Sequence, residues 1–425
     1  MAPHLSIIIP LFNNWELTQD CLAGLDEFRP PCPFEVIAVD NGSTDATRED
    51  LAAFGTARFG GAFRRIRFED NRNFGPGCNA GARAAAAPFL FFLNNDTRPT
   101  SGWARPLLDA FADDPCLGAA GPLLLYEDGT VQHLGICFGL PAMAHLYRGF
   151  PAGHPVVART RPLQAITGAA LLVPAALFRE LGGFYEEYHN GYEDVDLCLR
   201  IGKLGKSLRC VPESAITHLE SKTAGRNDHE ARNAALLTSR CGALIRPDKH
   251  LLGSRDGFAP FITDSWSVGL AMRREKEEAL DRAATALGPE ERYALTREHP
   301  YWISGRLALA EALLASESGG PVAPGNVPEN APGATQTTRR LLLLAEAAAV
   351  LDSAAAHAAL ARAARTAGDA ILGAAAEAAA ARLAASRMDR ARALQCRRLA
   401  VHAAVHAGDG LLERLIDEKL RETAP

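Results

Sequence analysis

Short apolar strands alternate with helices over the first part of this chain, and this alternation limits the fold more than any other feature of the sequence. Residues 5–9 form a β-branched apolar run that ends at Pro10, as expected of a buried parallel strand. Elements of similar spacing follow: a helix at 15–28, strands at 34–39, 63–68 and 89–93, and a small-residue helix at 78–86. Strands joined through helices form right-handed crossovers. The pattern therefore predicts an α/β domain with a mainly parallel sheet.

Polar side chains follow three of these strands at the point where each strand ends. Asp40 follows the second strand, a glycine-rich segment at 71–81 follows the third, and Asn94-Asn95-Asp96 follows the fourth. Ligands of open parallel sheets bind at the carboxyl ends of the strands. We therefore expect these side chains to meet in one binding site.

An acidic cluster lies further along the chain, in Glu193-Asp194-Val195-Asp196. Its three carboxylates fall within four residues, where like charges repel one another. The cluster follows Gly182-Gly183 and leads into an apolar stripe, which predicts a position at the edge of a core. A carboxylate held there is a candidate proton acceptor. The alternative is a solvated acidic helix start that the helix dipole favours.

Composition and charge exclude several classes of protein. The 425 residues carry a formal net charge of -5 and show no basic run, which argues against a general nucleic-acid binder. Nine scattered cysteines without a Cys-x-x-Cys pair argue against a disulfide framework or a cysteine zinc site. No secretory signal is visible, and the apolar stretches at 84–93 and 165–178 are too short or interrupted to span a bilayer. We expect a cytoplasmic protein, and peripheral contact with the inner face of the membrane is compatible with this composition.

The C-terminal part changes to a different composition. Residues 316–338 are rich in Pro, Gly and Ser, as linkers are, and the sequence beyond them is rich in Ala, Leu and Arg and strongly helical. The segment at 363–369 recurs at 403–409, and each copy ends a helical pattern with Gly and follows it with an Asp cap. A period of 40 residues suggests stacked helix pairs similar to tetratricopeptide repeats, although chance similarity between alanine-rich helices is the alternative.

Four motifs, taken in this order, resemble inverting family 2 glycosyltransferases with the GT-A fold. The resemblance covers residues 5–245 and is strongest to the branch that includes many bacterial rhamnosyltransferases. Its motifs are Ile7-Ile8-Ile9-Pro10, Val39-Asp40-Asn41-Gly42-Ser43-Thr44-Asp45, Asn94-Asn95-Asp96-Thr97 and Glu193-Asp194-Val195-Asp196. The fold class that it implies is a GT-A type nucleotide-diphospho-sugar transferase domain with a mainly parallel mixed sheet, followed by an all-α C-terminal domain.

The resemblance implies that Asp40 accepts a hydrogen bond from a nucleobase N–H. A helix cap or turn residue is the alternative for Asp40, and capping is the role that we favour for Asp45. The glycine-rich segment opens a helix, whose N-terminal amides suit an anionic group; a simple strand-to-helix turn is the alternative. The residues predicted to bind the sugar donor are Pro10, Asp40, Asn73, Gly75, Asn79, Asn95 and Asp96.

The resemblance also implies a divalent metal, Mn²⁺ or Mg²⁺. Asn94-Asn95-Asp96 stands where the family carries its Asp-x-Asp motif, and only Asp96 retains a carboxylate. Hard cations fill the rest of their shell with phosphate oxygens and water, so one aspartate is still compatible with a metal. His218 falls where relatives supply an imidazole ligand, which manganese accepts better than magnesium does. A structural histidine is the alternative.

Asp194 then corresponds to the general base, with Glu193 as the second candidate. In an inverting transfer this base removes the proton of the acceptor hydroxyl, and the metal supports the departing diphosphate. We expect Asp196 to orient the local backbone or to pair with Arg200. The turn at 167–170 is expected to be a packing turn with a backbone contact to the site, and the loop at 220–227 is a candidate lid.

The resulting hypothesis is an enzyme of the hexosyltransferase type that moves a sugar from a nucleoside diphosphate to a hydroxyl. Rhamnose or another deoxysugar is the donor suggested by the resemblance. The acceptor would be a saccharide, a lipid-linked saccharide or a protein glycan, as in polysaccharide biosynthesis. One alternative is a degenerate nucleotide-sugar-binding or scaffold protein that acts through its C-terminal helices, by a protein partner or by self-association. Another is a glycoside hydrolase with paired carboxylates, which would not need polar nucleotide-binding strand ends.

These patterns divide the chain into four segments. Residues 1–258 are the predicted GT-A glycosyltransferase domain, and 259–315 are a predicted helical connection. Residues 316–338 are the predicted linker, and 339–425 are a predicted Ala-rich domain that resembles a helical repeat.

Overall fold

The computed structural model describes residues 2–140, 143–219, 229–316, 336–407 and 410–423, without the side chains of 314–316, 336 and 402–407. The chain forms two compact units. The first comprises residues 1–137 and 145–245, and the second comprises residues 138–144 and 246–425. The candidate lid at 220–227 and most of the predicted linker lie outside the described residues.

The first unit alternates strands and helices as predicted for its N-terminal half. Its elements, with the two short strands at its boundary, are β1 Leu5–Leu11, α1 Trp15–Glu27, β2 Phe34–Asp40, α2 Thr47–Phe59, β3 Phe63–Arg67, α3 Phe74–Ala84, β4 Phe89–Leu93, β5 Thr97–Pro99, α4 Ala104–Asp113, β6 Leu117–Leu125, β7 Val131–His133, β8 Ile136–Phe138, β9 Met143–His145, β10 Ala170–Pro174, α5 Ala175–Glu180, α6 Glu193–Lys203, β11 Ser207–His218 and α7 Glu230–Cys241.

The described residues of this unit form a nine-stranded sheet. Its order is β3-β2-β1-β4-β10-β6-β11-β5, and β7 pairs with β6 outside this path. Strands β1 to β4 are parallel, and β10 runs antiparallel between β4 and β6. Strand β11 is parallel to β6, whereas β5 and β7 are antiparallel to their neighbours. Most strands therefore run in one direction, which confirms the predicted α/β class with a mainly parallel mixed sheet.

Strand β1 passes through Pro10 instead of ending before it, which corrects the predicted boundary. Pro10 pairs with Val39 of β2, and the carbonyl of Leu11 accepts from the amide of Asn41. Because alternate residues of a parallel strand bond to opposite neighbours, the nitrogen of Pro10 faces the side of β4. Pairing between β1 and β4 ends at Ile8. The missing N–H of proline therefore interrupts no sheet hydrogen bond.

Helices cover both faces of the parallel strands. Side chains of Ile7, Ile9 and Leu11 belong to one apolar cluster with Leu22 of α1 and Leu51 of α2. Every residue of β1 is buried. The strands consequently lie in the interior, and the polar side chains at their carboxyl ends are the parts that reach a binding cleft.

Helix α3 lies so close to the other face that it requires a glycine. A Cβ atom added at Gly81 would lie 2.4 Å from Cγ2 of Ile8 and 3.2 Å from Cγ2 of Val39. Both side chains are fully buried and have little room to move. This close approach fixes the depth at which α3 sits on β1 and β2, and with it the position of the loop that leads into α3.

We expect Gly81→Ala to destabilise the protein by about 1–3 kcal/mol, the usual cost of overpacking a filled core. Gly202→Ala in α6 is the matched control, because a Cβ atom there meets nothing within 4 Å. Alanine is favoured over glycine in helices, so this control should stabilise by about 0.5–1 kcal/mol. Urea unfolding of both variants measures the two effects. Equal stability of the two variants would contradict the close packing of α3.

The second unit is mostly helical in its described residues. Its elements after the boundary strands are α8 Lys249–Arg255, β12 Phe258–Ile262, β13 Val268–Met272, α9 Arg274–Ala284, α10 Pro289–Glu298, α11 Ile303–Ser316, α12 Gln336–Leu351, α13 Ala354–Thr366, α14 Ala370–Arg387, α15 Arg390–Ala407 and α16 Leu411–Glu422. The region predicted as a helical connection at 259–315 thus begins with the β12–β13 hairpin, and α12 starts within the predicted linker.

The first copy of the proposed repeat has the predicted helix ends. Helix α13 is followed by Gly368 with a φ of 80°, and the side chain of Asp369 accepts a hydrogen bond from the amide of Leu372 in α14. Gly408 and Asp409 of the second copy lie outside the described residues. The repeat therefore stays a prediction, while the helical character of the C-terminal region is confirmed.

All nine cysteines carry free thiols, and seven of them are buried. Burial raises the pKa of Cys21 and Cys198 to about 12, so both are protonated thiols that pack as apolar side chains. Across the described stretches of the chain, no helix combines the length and the apolar character that crossing a bilayer demands.

Candidate active site

An open cleft lies where the strands β1, β2 and β4 end. Its empty volume, mouth included, is about 960 Å³. Among its lining residues are Pro10, Asn41, Asn71, Asn73, Asn94, Asn95, Asp96, Thr167, Gly168, Asn190, Glu193 and Asp194. The cleft thus brings together six of the predicted site residues: Pro10, Asn73, Asn95, Asp96, Glu193 and Asp194.

The acidic cluster opens helix α6 at the edge of this cleft. The turn before it has positive φ angles at Asn190 (51°), Gly191 (158°) and Tyr192 (77°). Such angles are costly for residues other than glycine and persist only where the surroundings hold them. The side chain of Glu193 accepts from the amide of Gly191 at 2.8 Å, and that of Asn190 accepts from the amide of Phe74 at 2.9 Å. These bonds hold the turn and aim the first residues of α6 at the cleft.

The carboxylate of Asp194 is positioned by backbone amides. One oxygen accepts from the amide of Gly168 at 2.7 Å and the other from the amide of Val195 at 2.8 Å. Each oxygen has a further lone pair that can take a proton. The turn at 167–170 thus supplies the backbone amide of Gly168 that holds the Asp194 carboxylate.

The turn that holds Asp194 is itself supported by His133. The Nε2 atom of His133 accepts from the amide of Thr167 at 3.3 Å. Burial, together with the neighbouring His145 and His218, holds the pKa of His133 well below its usual value. His133 is therefore neutral, as an accepting Nε2 requires.

Asp96 and His218 meet because their strands pair. His218 ends β11 opposite Thr97 of β5, and the amide of Leu219 bonds to the carbonyl of Asp96 at 2.9 Å. This register leaves Nε2 of His218 3.1 Å from a carboxylate oxygen of Asp96. The imidazole is 5% exposed and the carboxylate 13% exposed, so both lie beneath the cleft surface.

This pair has the spacing of two neighbouring metal ligands. Two ligands at right angles, each about 2.1 Å from a cation, lie about 3 Å apart, close to the observed separation. A carboxylate oxygen with an imidazole nitrogen suits Mn²⁺ better than Mg²⁺. No group of three or more His, Cys, Asp or Glu side chains within the described stretches is arranged to hold a metal. The remaining ligands would have to come from the substrate and water.

Asp40 does not line the cleft, contrary to its predicted role as the nucleobase contact. Its carboxylate is fully buried and accepts from Arg65 at 2.7 Å, from Arg67 at 2.5 Å and from the amide of Ser43 at 2.8 Å. Burial alone would raise the pKa of Asp40, but the Ser43 amide and the two arginines outweigh it and lower that pKa. Asp40 therefore ties β2 to β3.

Asn41, the next residue, reaches the cleft instead. It is 4% exposed, and its Oδ1 atom has no hydrogen-bond partner among the described residues. A Cβ atom at Gly77 would lie 2.9 Å from Nδ2 of Asn41, so glycine at 77 leaves the space that the amide occupies. A buried acceptor without a partner is costly unless a ligand or a water molecule supplies a donor.

The glycine-rich segment contributes Asn73 to the cleft but not Gly75 or Asn79. Asn79 is 6% exposed and bonds to both the amide and the carbonyl of Phe184. Asn79 therefore has a structural role, since it holds α3 to the backbone of Phe184. The first amide of α3, that of Phe74, is taken by Asn190, so the predicted anion site at this helix start lacks its first donor.

Two further sequence predictions concern residues beside the cleft. Asp45 accepts from the amide of Trp15 and the amide of Thr47, each at 3.1 Å, which confirms its capping role at two helix starts. Asp196 pairs with Arg200 at 2.6 Å, as expected, and also with Arg240 of α7 at 2.7 Å.

Part of the first unit is similar to a known protein family. Residues 6–134 match the sequence model described as glycosyl transferase family 2. Residues 6–134 are thus similar to glycosyl transferase family 2. This matched segment contains Pro10, Asn41, Asn73 and Asp96 of the cleft, while Asp194 and His218 lie beyond it.

Named relatives are similar to part of the chain. An O-antigen biosynthesis protein, RfbC, from Myxococcus xanthus is 30% identical over 52% of this chain and 18% of its own length. An N-acetylglucosaminyl-diphospho-decaprenol L-rhamnosyltransferase from Mycobacterium tuberculosis is 29% identical over 46% of this chain and 69% of its own length. The chain spans 26% and 18% of the length of the first two curated relatives that it matches.

A solved structure also resembles this chain. The mannosyltransferase PcManGT from Pyrobaculum calidifontis, in complex with GDP-Man and Mn²⁺, has a TM-score of 0.45 and 16% identity, covering 90% of this chain and 86% of its own.

Proposed function

We propose that this chain is a metal-dependent, inverting glycosyltransferase that moves a sugar from a nucleoside diphosphate to a hydroxyl acceptor. The observation that supports it most is the convergence of Asp194 and Asp96 on one cleft, although they lie about a hundred residues apart in the sequence. A base and a candidate metal ligand are the two groups that such a transfer needs.

The donor would lie along the ends of β1, β2 and β4. The unpartnered Oδ1 atom of Asn41 can accept the ring N–H that uracil, thymine and guanine carry. We therefore transfer the proposed nucleobase contact from Asp40 to Asn41. Pro10, Asn73 and Asn95 line the same cleft and would contact the rest of the donor.

Asp96 and Nε2 of His218 would hold the cation beside the donor diphosphate. A bound divalent cation supplies positive charge that stabilises the departing diphosphate. Asn94 lines the cleft next to this pair with an amide in place of a carboxylate. With one protein carboxylate fewer, the cation would depend more on phosphate oxygens of the donor as ligands.

Asp194 would remove the proton of the acceptor hydroxyl while that oxygen attacks the anomeric carbon. The amides of Gly168 and Val195 fix the direction of the carboxylate. The acceptor oxygen bonds to the anomeric carbon on one face of the sugar while the bond to the diphosphate breaks on the opposite face, so the anomeric configuration inverts. The proton of the acceptor passes to Asp194.

The donor and acceptor proposals draw on the relatives. The relative from Mycobacterium tuberculosis is named an N-acetylglucosaminyl-diphospho-decaprenol L-rhamnosyltransferase. We propose a deoxysugar such as rhamnose as the donor sugar and a lipid-linked or free saccharide as the acceptor.

Nucleoside-diphosphate sugars with uracil, thymine or guanine should stabilise the protein against heating when Mn²⁺ is present. A donor at about 100 times its Kd stabilises the native state by about 2.7 kcal/mol. Thermal unfolding with a panel of donors, in Mn²⁺ and in EDTA, measures this effect, and nucleoside diphosphate release with added acceptors then tests turnover. No stabilisation by any donor and no release would instead support the scaffold alternative.

A further inference from the structure

Gln132 in the short strand β7 makes two hydrogen bonds to His218. Its Oε1 atom lies 2.5 Å from Nδ1 of the imidazole, and its Nε2 atom donates to the backbone carbonyl of His218 at 3.0 Å. Gln132 is 3% exposed and His218 4% exposed, so water does not compete for these bonds. No sequence motif marks Gln132 as part of the site.

The backbone carbonyl determines the direction of these bonds. A carbonyl oxygen only accepts, so the NH₂ group of Gln132 must face it. The other end of the amide, Oε1, then faces Nδ1, and because Oε1 also only accepts, Nδ1 must carry a proton. The ring nitrogen that remains is Nε2, which lies 3.1 Å from Asp96 and 3.4 Å from the amide of Asn94.

We propose that Gln132 is a positioning residue that fixes His218 in the Nδ1–H tautomer, with Nε2 directed at Asp96. This inference rests on the proposed function for its consequence, since an Nε2 lone pair is what a metal beside Asp96 requires. A histidine that binds a metal commonly donates its second ring N–H to a carbonyl or carboxylate that orients it. In this chain the side-chain carbonyl of Gln132 is the acceptor, and the second bond to the backbone prevents the amide from turning over.

The tautomer tests the proposal without any metal. NMR of protein labelled with ¹⁵N-histidine, recorded metal-free under conditions in which the spectrum shows a single proton on the ring, should show His218 with that proton on Nδ1. Gln132→Leu removes the acceptor, so the proton should move to Nε2, where Asp96 can accept it. Gln132→Glu keeps an acceptor for Nδ1–H and should retain the tautomer. A proton on Nε2 in the unsubstituted protein would overturn the proposal.

Metal affinity tests the consequence. With UDP, GDP or dTDP present, Gln132→Leu should weaken Mn²⁺ binding by about 10- to 100-fold, the usual effect of removing a partner that orients a metal ligand. Electron paramagnetic resonance of free Mn²⁺ measures this directly. In a His218→Ala background the same substitution should cause no further loss. Ser6→Ala, which removes another buried hydrogen bond of the sheet, to Glu35 at 2.6 Å, is the control and should leave Mn²⁺ affinity unchanged.

The outcomes separate this inference from the proposed function. An equal loss of Mn²⁺ affinity in the Ser6→Ala control, or a full loss from Gln132→Leu in the His218→Ala background, would overturn the positioning role. If the unsubstituted protein has the Nδ1–H tautomer and yet binds no Mn²⁺ with any nucleotide, the assignment of Gln132 stands and the metal in the proposed function fails.

Discussion

Asp194→Asn should lower the rate of sugar transfer by about 10²- to 10⁴-fold, the usual contribution of a general base. An asparagine has nearly the same shape and cannot take the acceptor proton. Donor binding should be unchanged, because the residues proposed to hold the nucleotide follow the ends of strands, whereas Asp194 lies at the start of α6. The kcat of transfer and the thermal stabilisation by donor and Mn²⁺ measure these two effects separately.

Glu193→Gln is the matched control for the base. The Glu193 side chain is buried and accepts from the amide of Gly191, so a glutamine can keep this contact through its carbonyl oxygen. We expect a much smaller change in kcat than for Asp194→Asn. The reverse order of effects would transfer the role of base to Glu193, and an unchanged kcat in both variants would remove the acidic cluster from the mechanism.

Asp196→Asn should destabilise the protein by about 3 kcal/mol. The carboxylate is fully buried and pairs with Arg200 and Arg240, so its neutralisation leaves two cations without their counter-charge. Breaking a buried pair costs about 3–5 kcal/mol. We expect the lower end of this range, because the arginines are 18% and 27% exposed and water partly solvates them. Urea unfolding at neutral pH measures the loss.

The control for this substitution is Asp109→Asn. Asp109 and Arg105 have the same i,i+4 spacing on α4 as Asp196 and Arg200 have on α6, but their side chains are 52% and 68% exposed. An exposed pair contributes about 0–1 kcal/mol. A loss of equal size in both variants would show that the buried network around Asp196 does not carry the stability assigned to it.

The effect of Asp196→Asn should depend on pH. Burial by itself would raise the pKa of Asp196, but Arg240 and Arg200 outweigh it and lower that pKa below its ordinary value of 3.8. A carboxyl whose pKa is lowered by folding contributes its full stability above the unfolded value and loses it as the pH falls through the folded value. The difference between the original protein and the variant should therefore be constant near neutral pH and shrink below about pH 4.

The sequence predicts the position of the cleft because strand ends follow from local patterns. Pro10 and Asp96 each follow an apolar run, Asn73 follows the third strand, and the carboxyl ends of parallel strands meet at one edge. Asp194 is recognisable by its crowded acidic neighbours. These features are short-range in the chain, and the convergence of Asp96 and Asp194 follows only from the resemblance to family 2 glycosyltransferases.

The choice between Asp40 and Asn41 could not be made from the sequence. Neighbouring residues at the end of a strand point to opposite sides, so an error of one position exchanges the buried and the cleft-facing side chain. The resemblance to family 2 glycosyltransferases predicts Asp40 as the contact. Arg65 and Arg67 of β3 form ion pairs with the Asp40 carboxylate. The sequence around Asp40 does not indicate that β3 supplies these partners.

Gln132 and Asn190 were missed because their roles arise from contacts between distant parts of the chain. Gln132 bonds to His218, and Asn190 caps α3 through the amide of Phe74. A single glutamine in a three-residue strand has no periodicity to read. A positive φ at asparagine before a glycine is a recognisable turn feature, but it does not specify which helix the side chain will cap.

The insertion of β10 between β4 and β6 has a consequence for how the protein folds. Strands β1 to β4 can pair through short crossovers, whereas Leu93 must find Ala170 and Leu117 must find Ser207 before the sheet is complete. Closing such long loops costs entropy that is recovered only when the contacts form, so pairings of this kind form slowly. Pro10 and Asn41 belong to the part that can form first, and His218 belongs to the part that needs the distant pairing. The part of the cleft around Pro10 and Asn41 should therefore form earlier in folding than the part that depends on His218.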